Sequence, residues 1–177
     1  TGWVDPLGLM SVEGDCPGVT ETINADTLDR TTIDAVLSFE KGSRPEPELY
    51  LSQSYRDAHA NMFRNGAARI QPTAPTGVIG RTETWVLPKS VAELAIDKAA
   101  GDISKLENYL GLDKGYLGHQ PMLVLIPKPH KYRIPSGNEF GANTFWRPGG
   151  FTSPGGLPEA VIDPVKTNEY TIKPIID

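Results

Sequence analysis

Met122-Leu123-Val124-Leu125-Ile126 is the longest uninterrupted apolar run of the chain, and Pro127-Lys128-Pro129 stops it. Farther on, Leu157-Pro158-Glu159-Ala160-Val161-Ile162 forms a second short apolar run with one carboxylate near its head. Runs this short, bounded by proline or glycine, read as buried strands rather than helices, here over Met122–Ile126 and Glu159–Ile162. They also cannot cross a bilayer, which takes roughly 20 apolar residues. Working outward, Ala67–Gln71 and Thr84–Leu87 read as short strands around a Pro/Gly turn region, and Glu169–Ile176 as a last, partly alternating one. Helix signals lie between them. Ser52 can cap a helix over Gln53–Asn65 whose stripe is Tyr55, His59, Met62 and Phe63, with Gly66 placed to end it. Ser90-Val91-Ala92-Glu93 is a capping box opening a helix that Gly101 closes. Asp102 caps another, with Ile103, Leu106, Tyr109 and Leu110 inward and Gly111 at its end. Ile33–Phe39 reads as one short helix or strand. Small helices, short strands and long Gly/Pro loops predict an α+β fold.

The size and charge balance narrow the classes further. The chain has 177 residues, enough for one domain with a real core. Eighteen Gly and 16 Pro favour turns over a helical bundle. The net charge of −5 does not advertise nucleic-acid binding. Its distribution is uneven: residues 1–63 hold 11 acids and four bases, whereas Glu139 is the only acid from Tyr116 to Gly156. A cationic, glycine-rich C-terminal half suits a small polyanionic ligand such as a dinucleotide. The one cysteine, Cys16, excludes an internal disulfide framework and a cysteine-based zinc site. Its acidic surroundings would raise its pKa and make it a poor nucleophile. No basic segment precedes an apolar stretch at the start of the sequence, so no signal peptide is expected.

The chemistry-bearing residues gather in the C-terminal half. Phe145-Trp146-Arg147-Pro148-Gly149-Gly150 and Phe151-Thr152-Ser153-Pro154-Gly155-Gly156 form a flexible aromatic and glycine-rich loop directly before Glu159. Glycines let backbone approach a ligand closely, and Phe145 and Trp146 offer a stacking surface. Glu159, fixed at the mouth of a strand, suits cleavage of an N-glycosidic bond, because a placed anion stabilises an oxocarbenium-like transition state. It can also hold a ribose hydroxyl. Arg69, on the first strand, can fork onto a phosphate. The basic cluster of His119, Lys128, His130, Lys131 and Arg133 keeps a ribonuclease open, with the histidines as general acid and base. No Gly-x-Ser-x-Gly elbow supports a serine hydrolase, and no histidine spacing supports a metal nuclease. A non-catalytic binding module has no positive feature in its favour.

Two resemblances bear on these residues. Asp5-Pro6-Leu7-Gly8-Leu9, preceded by Gly2-Trp3-Val4, resembles the self-cleavage motif that ends the core of Rhs-repeat polymorphic toxins. That implies cleavage after Leu9, an acidic extension or linker over residues 10–48, which includes the stiff Arg44-Pro45-Glu46-Pro47, and a toxin domain over 49–177. The order from Phe63 to Ile162 is similar to that of the ADP-ribosyltransferase superfamily of NAD-consuming toxins. It implies a split β-sheet with small flanking helices and NAD as substrate without a metal. In the Arg–Ser–Glu set of that superfamily, Arg69 would hold the NAD phosphates or ribose, Ser136 would frame the pocket, and Glu159 would be the catalytic acid. Phe145, Trp146, Gly149, Gly150 and Ser153 would complete the NAD site. The glycine-rich loop also resembles that of NAD glycohydrolases of the tuberculosis-necrotizing-toxin type, where a glutamine stands at the position of Glu159. No Ser-Thr-Ser triplet is present, so Thr152-Ser153 rivals Ser136 for the middle position, with Thr82-Glu83-Thr84 a weaker third, and Leu157 stands where arginine-specific transferases usually carry Glu. The resemblance thus implies an antibacterial toxin that passes ADP-ribose to a protein or RNA of the translation machinery. Such a toxin would be delivered, as by type VI secretion, into the target cytoplasm and neutralised in the producer by a cognate immunity protein, with no membrane partner. Its rivals are NAD hydrolysis without transfer and the His119/His130 ribonuclease.

Overall fold

The structure, a computed structural model, describes residues 22–176. The Asp5–Leu9 motif and Cys16 lie outside them. The elements run α1 (Arg30–Leu37), a short 3-10 turn (Pro47–Leu49), α2 (Gln53–Asn61), β1 (Ala67–Gln71), β2 (Thr84–Pro88), α3 (Lys89–Ala99), α4 (Ile103–Leu110), β3 (Met122–Ile126), β4 (Ala160–Ile162) and β5 (Thr171–Pro174). The fold is α+β, with one antiparallel sheet in the order β4-β2-β1-β3-β5.

Local chemistry accounts for most boundaries. Asp102 accepts the backbone N–H of Lys105 at 3.0 Å and opens α4, which closes on Gly111 in the left-handed conformation. Ser52 accepts from Tyr55 N–H and opens α2. That helix ends at Asn61, four residues short of the expected Asn65, and the chain tightens into three-residue turns as far as Gly66. Gly66, at φ +100°, lies against β3, where an added Cβ would sit 3.1 Å from the Ile126 carbonyl. The expected capping box does not cap α3: Pro88 occupies the cap position with no side-chain hydrogen bond, and Ser90 lies inside the first turn. The reason is that β2 runs straight into the helix: the Lys89 N–H still pairs across the sheet with the Gly66 carbonyl, so the helix begins at Lys89, ahead of Ser90.

β3 lies inside the sheet, between β1 and β5, and packs on both faces, which explains its unbroken apolar run. Leu123 and Leu125 face a core built with α3 and α4, while Val124 and Ile126 face a second core with Phe63, Val86 and Ile162. β1 pairs with β3 along all five residues, but with β2 only at Ala67–Pro88 and Ala68–Leu87. β2 turns instead to β4, matching Thr84, Trp85 and Val86 with Ile162, Val161 and Ala160. The sheet therefore opens between Arg69 and Val86.

Residues 22–48, expected as an extension or linker, pack on this body. Val36 is buried with Ala142 and Trp146. Lys41 donates to the carbonyls of Phe140 (3.1 Å) and Ala142 (2.7 Å). The side-chain oxygen of Asn138 accepts the backbone N–H groups of Gly42 (2.7 Å) and Arg44 (3.1 Å), and its amide donates to the Arg44 carbonyl at 2.9 Å. Asn138→Ala leaves these three groups without their partner and should lower the unfolding free energy by about 2 kcal/mol. Urea denaturation checks this, and a loss under about 0.5 kcal/mol contradicts the fastening role.

Candidate functional site

Two adjoining cavities occupy the opening in the sheet and share Trp85, Leu110, Leu112, Gly141, Thr152 and Glu159 in their walls. The larger, about 180 Å³, extends along β1 and β2 and adds Arg69 and Tyr116. The smaller, about 110 Å³, extends toward the loop and adds Asn143, Phe145, Trp146 and Ser153. Glu159 and Trp85 thus stand where the two lobes meet.

Glu159 sits immediately before β4, at the base of a hairpin. Its backbone N–H donates to the Gly150 carbonyl at 2.9 Å, and within the hairpin Thr152 N–H donates to the Leu157 carbonyl at 2.7 Å. The Thr152 hydroxyl donates to the Tyr109 carbonyl at 2.7 Å and accepts the Leu157 N–H at 3.0 Å, which ties the hairpin to the end of α4. The Glu159 side chain is half-buried, and its carboxyl has no hydrogen-bond or ion-pair partner among the described residues. Burial, helped by the charge of Glu139, pushes it up to about 8. Glu139 itself is held by Ser136 N–H, the Ser136 hydroxyl and Gly137 N–H, at 2.8, 3.2 and 2.8 Å.

Arg69 supplies the positive charge. Its side chain is half-buried, donating to Gln71 at 3.0 Å and more weakly to the Trp85 carbonyl at 3.4 Å. No carboxylate lies within ion-pair distance of it among the described residues. Burial lowers its pKa, and nearby Tyr116 acts against that shift. A guanidinium so placed is short of an anion.

The other expected residues divide. Phe145 lies on the rim, 37% exposed, and Ser153 lines the smaller lobe. Trp146 contributes to the wall, but Arg44 lies over its ring at 4.6 Å and Gly137 abuts it, so the face for stacking is already occupied. Gly149 and Gly150 do not line either lobe. Their close approach is to α2, where Tyr55 donates to the Gly149 carbonyl and His59 contacts the Gly150 carbonyl, each at 2.6 Å. A Cβ on Gly150 would fall 2.5 Å from His59 Nε2. Ser136 also lies outside the lobe walls, its hydroxyl spent on Glu139 and on the Asn138 N–H. Trp85 and Tyr116 were not singled out from sequence. Trp85 carried a faint signal as the residue out of phase between buried Thr84 and Val86 on β2, whereas Tyr116 stands in an irregular loop and carried none.

His119 and His130 lie in the loops beyond opposite ends of β3, whose five residues span about 13 Å at 3.3 Å per residue. His130 lies 3.4 Å from Glu169, and Lys131 and Arg133 both face Asp163. Among the described residues no group of His, Cys, Asp and Glu could hold a metal ion, and no helix is long and apolar enough to cross a membrane. No protein-family model, characterised protein or solved structure matches the chain.

The raised carboxyl makes a prediction about stability. Folded Glu159 keeps its proton to about 8, against an ordinary value of 4.5, so the stability it contributes is complete below 4.5 and is lost as pH rises through 8. Glu159→Gln should therefore be more stable than the parent at pH 8–9 and converge with it toward pH 4.5. Melting curves across that range check this, and parallel profiles contradict it.

Proposed function

We propose that this domain cleaves NAD at the bond between nicotinamide and ribose and passes ADP-ribose to a macromolecular acceptor, as a toxin directed against the translation machinery of a target bacterium. One observation carries the reading: a guanidinium without an anionic partner and a carboxyl without any partner line the same cleft, where two paired strands part. NAD offers a diphosphate for the first and a developing cation for the second.

In this mechanism Arg69 anchors the diphosphate in the larger lobe. Phe145 and Trp85 provide aromatic surface for a ring of the dinucleotide. The positively charged nicotinamide ring, drawn toward Glu159, favours loss of its proton, because an adjacent cation stabilises the carboxylate. The carboxylate then stabilises the oxocarbenium formed as nicotinamide leaves, and can hold a ribose hydroxyl. The motif at Asp5–Leu9 supports release from an Rhs-type carrier and protection of the producer by a cognate immunity protein.

Hydrolysis without transfer is the second reading, and Leu157 bears on the acceptor. The side chain at the position where arginine-specific transferases carry an acid is 1% exposed and packed in the core. It cannot activate an acceptor, so water or an acceptor other than arginine takes the ADP-ribose. The ribonuclease reading has less support, since its two histidines lie beyond opposite ends of β3.

Incubation with NAD labelled in the ADP-ribose part and a bacterial lysate separates these readings. Label on protein or RNA supports transfer, free ADP-ribose supports hydrolysis, and intact NAD overturns both. Glu159→Ala should lower turnover by at least about 100-fold with the fold retained. Arg69→Ala should weaken NAD binding about tenfold by calorimetry. With Glu159 needed as carboxylate, kcat/KM of the parent should rise with pH up to about 8 and then level.

A further inference from the structure

His59 is the most enclosed ionisable side chain at the back of the site, with no exposed surface. Phe63 stacks on it at 5.7 Å, Phe151 meets it edge-on at 5.6 Å, and the ring of Tyr132 lies 5.9 Å away. Both ring nitrogens are engaged. The carbonyl of Gly150 can only accept, so Nε2 carries the proton and donates to it at 2.6 Å. Nδ1 is then the acceptor, and the Tyr132 hydroxyl donates to it. The neutral ring this requires agrees with burial, which pushes His59 down to about 4. The Gly150 carbonyl also receives the backbone N–H of Glu159. One oxygen is therefore shared between a side chain of α2 and the residue that presents the carboxyl, and Tyr55 secures the neighbouring Gly149 carbonyl from the same helix.

We propose that His59 is a positioning residue: its imidazole, oriented by Tyr132, fixes the Gly150 carbonyl that holds the backbone of Glu159, so the place of the carboxyl in the cleft is set from α2. The proposal rests on the reading of Glu159 as the catalytic acid, but its decisive test does not need activity. Full-length chain carrying His59→Gln, His59→Phe or Tyr132→Phe is prepared with ¹³C-labelled glutamate, and the Glu159 carboxyl signal, identified through Glu159→Gln, is titrated. Glutamine can return an N–H donor to the Gly150 carbonyl, whereas phenylalanine fills the space without one.

The expected result is a parent-like Glu159 midpoint in His59→Gln and a midpoint lower by about one unit or more in His59→Phe, as the loosened hairpin lets water reach the carboxyl. NAD turnover should follow, with kcat down about thirtyfold in His59→Phe, KM within about twofold, and His59→Gln within about threefold of the parent. A folded His59→Phe with an unchanged midpoint overturns the proposal, whatever its kcat. If His59→Phe does not fold, Tyr132→Phe decides by the same criterion: a lowered midpoint supports the proposal and an unchanged one overturns it. If the parent consumes no NAD, the enzymatic reading fails and the titration still decides the role of His59.

Discussion

Ala68 and Leu87 are the last residues at which β1 and β2 share the sheet ladder, and the cleft depends on their parting. A strand has two hydrogen-bonding edges. β2 gives one of them to β4 over Thr84–Val86 and keeps β1 on the other only at its end. Two runs of backbone are thus left facing each other without pairing, which would be unfavourable if they were closed from water and unsatisfied. The structure fills the gap with a side chain: Arg69 leans across and donates, at the long distance of 3.4 Å, to the Trp85 carbonyl. The side chain that spans the gap is also one with no carboxylate within ion-pair distance among the described residues.

Electrostatics follow from that geometry. Arg69 and Glu159 line one lobe yet do not form an ion pair within 4 Å. Each is held in partly dehydrated surroundings that disfavour its charged form, and the two shifts share burial as the leading cause. Had they closed on each other, the charges would be spent internally. Held apart, they can each be relieved by a ligand carrying an anion and a cation at suitable separation. Glu139 adds to the effect on Glu159 from outside the lobe walls, where three donors hold its side chain in place.

The scaffold around this pair is unusually dependent on carbonyl oxygens. Those of Gly149 and Gly150 are held from α2, that of Tyr109 by Thr152, and those of Phe140 and Ala142 by Lys41. Loops rich in glycine lose much conformational freedom on folding, so each such contact limits that motion, those of Gly149 and Gly150 from α2 and that of Thr152 by tying its hairpin to α4. The segment from Ile23 to Arg44 takes part in this fastening, which is why it cannot be treated as a detachable lead-in to the body.

Short-range pattern was enough for much of the fold. Strands at Ala67–Gln71 and Met122–Ile126, the Asp102 and Ser52 caps and the Gly111 stop depend on neighbours within a few residues, and they appear where periodicity and capping chemistry indicate. So does the placement of Glu159 at the head of the final buried strand. The errors are long-range ones. Ser90 had the spelling of a cap, but a strand pair across the sheet decided where α3 begins. Gly149 and Gly150 announced close approach without saying to what, and the answer was α2. Ser136 serves another carboxylate, Trp146 is covered by Arg44, and Trp85 and Tyr116 reach the cleft from positions no motif marks. Local sequence determined the pieces and several of their ends, because propensity, periodicity and caps act over a turn or two. The cleft itself was decided only by tertiary structure, because which strand edges pair, and where they stop pairing, depends on residues nearly eighty positions apart, as with Thr84 and Ile162.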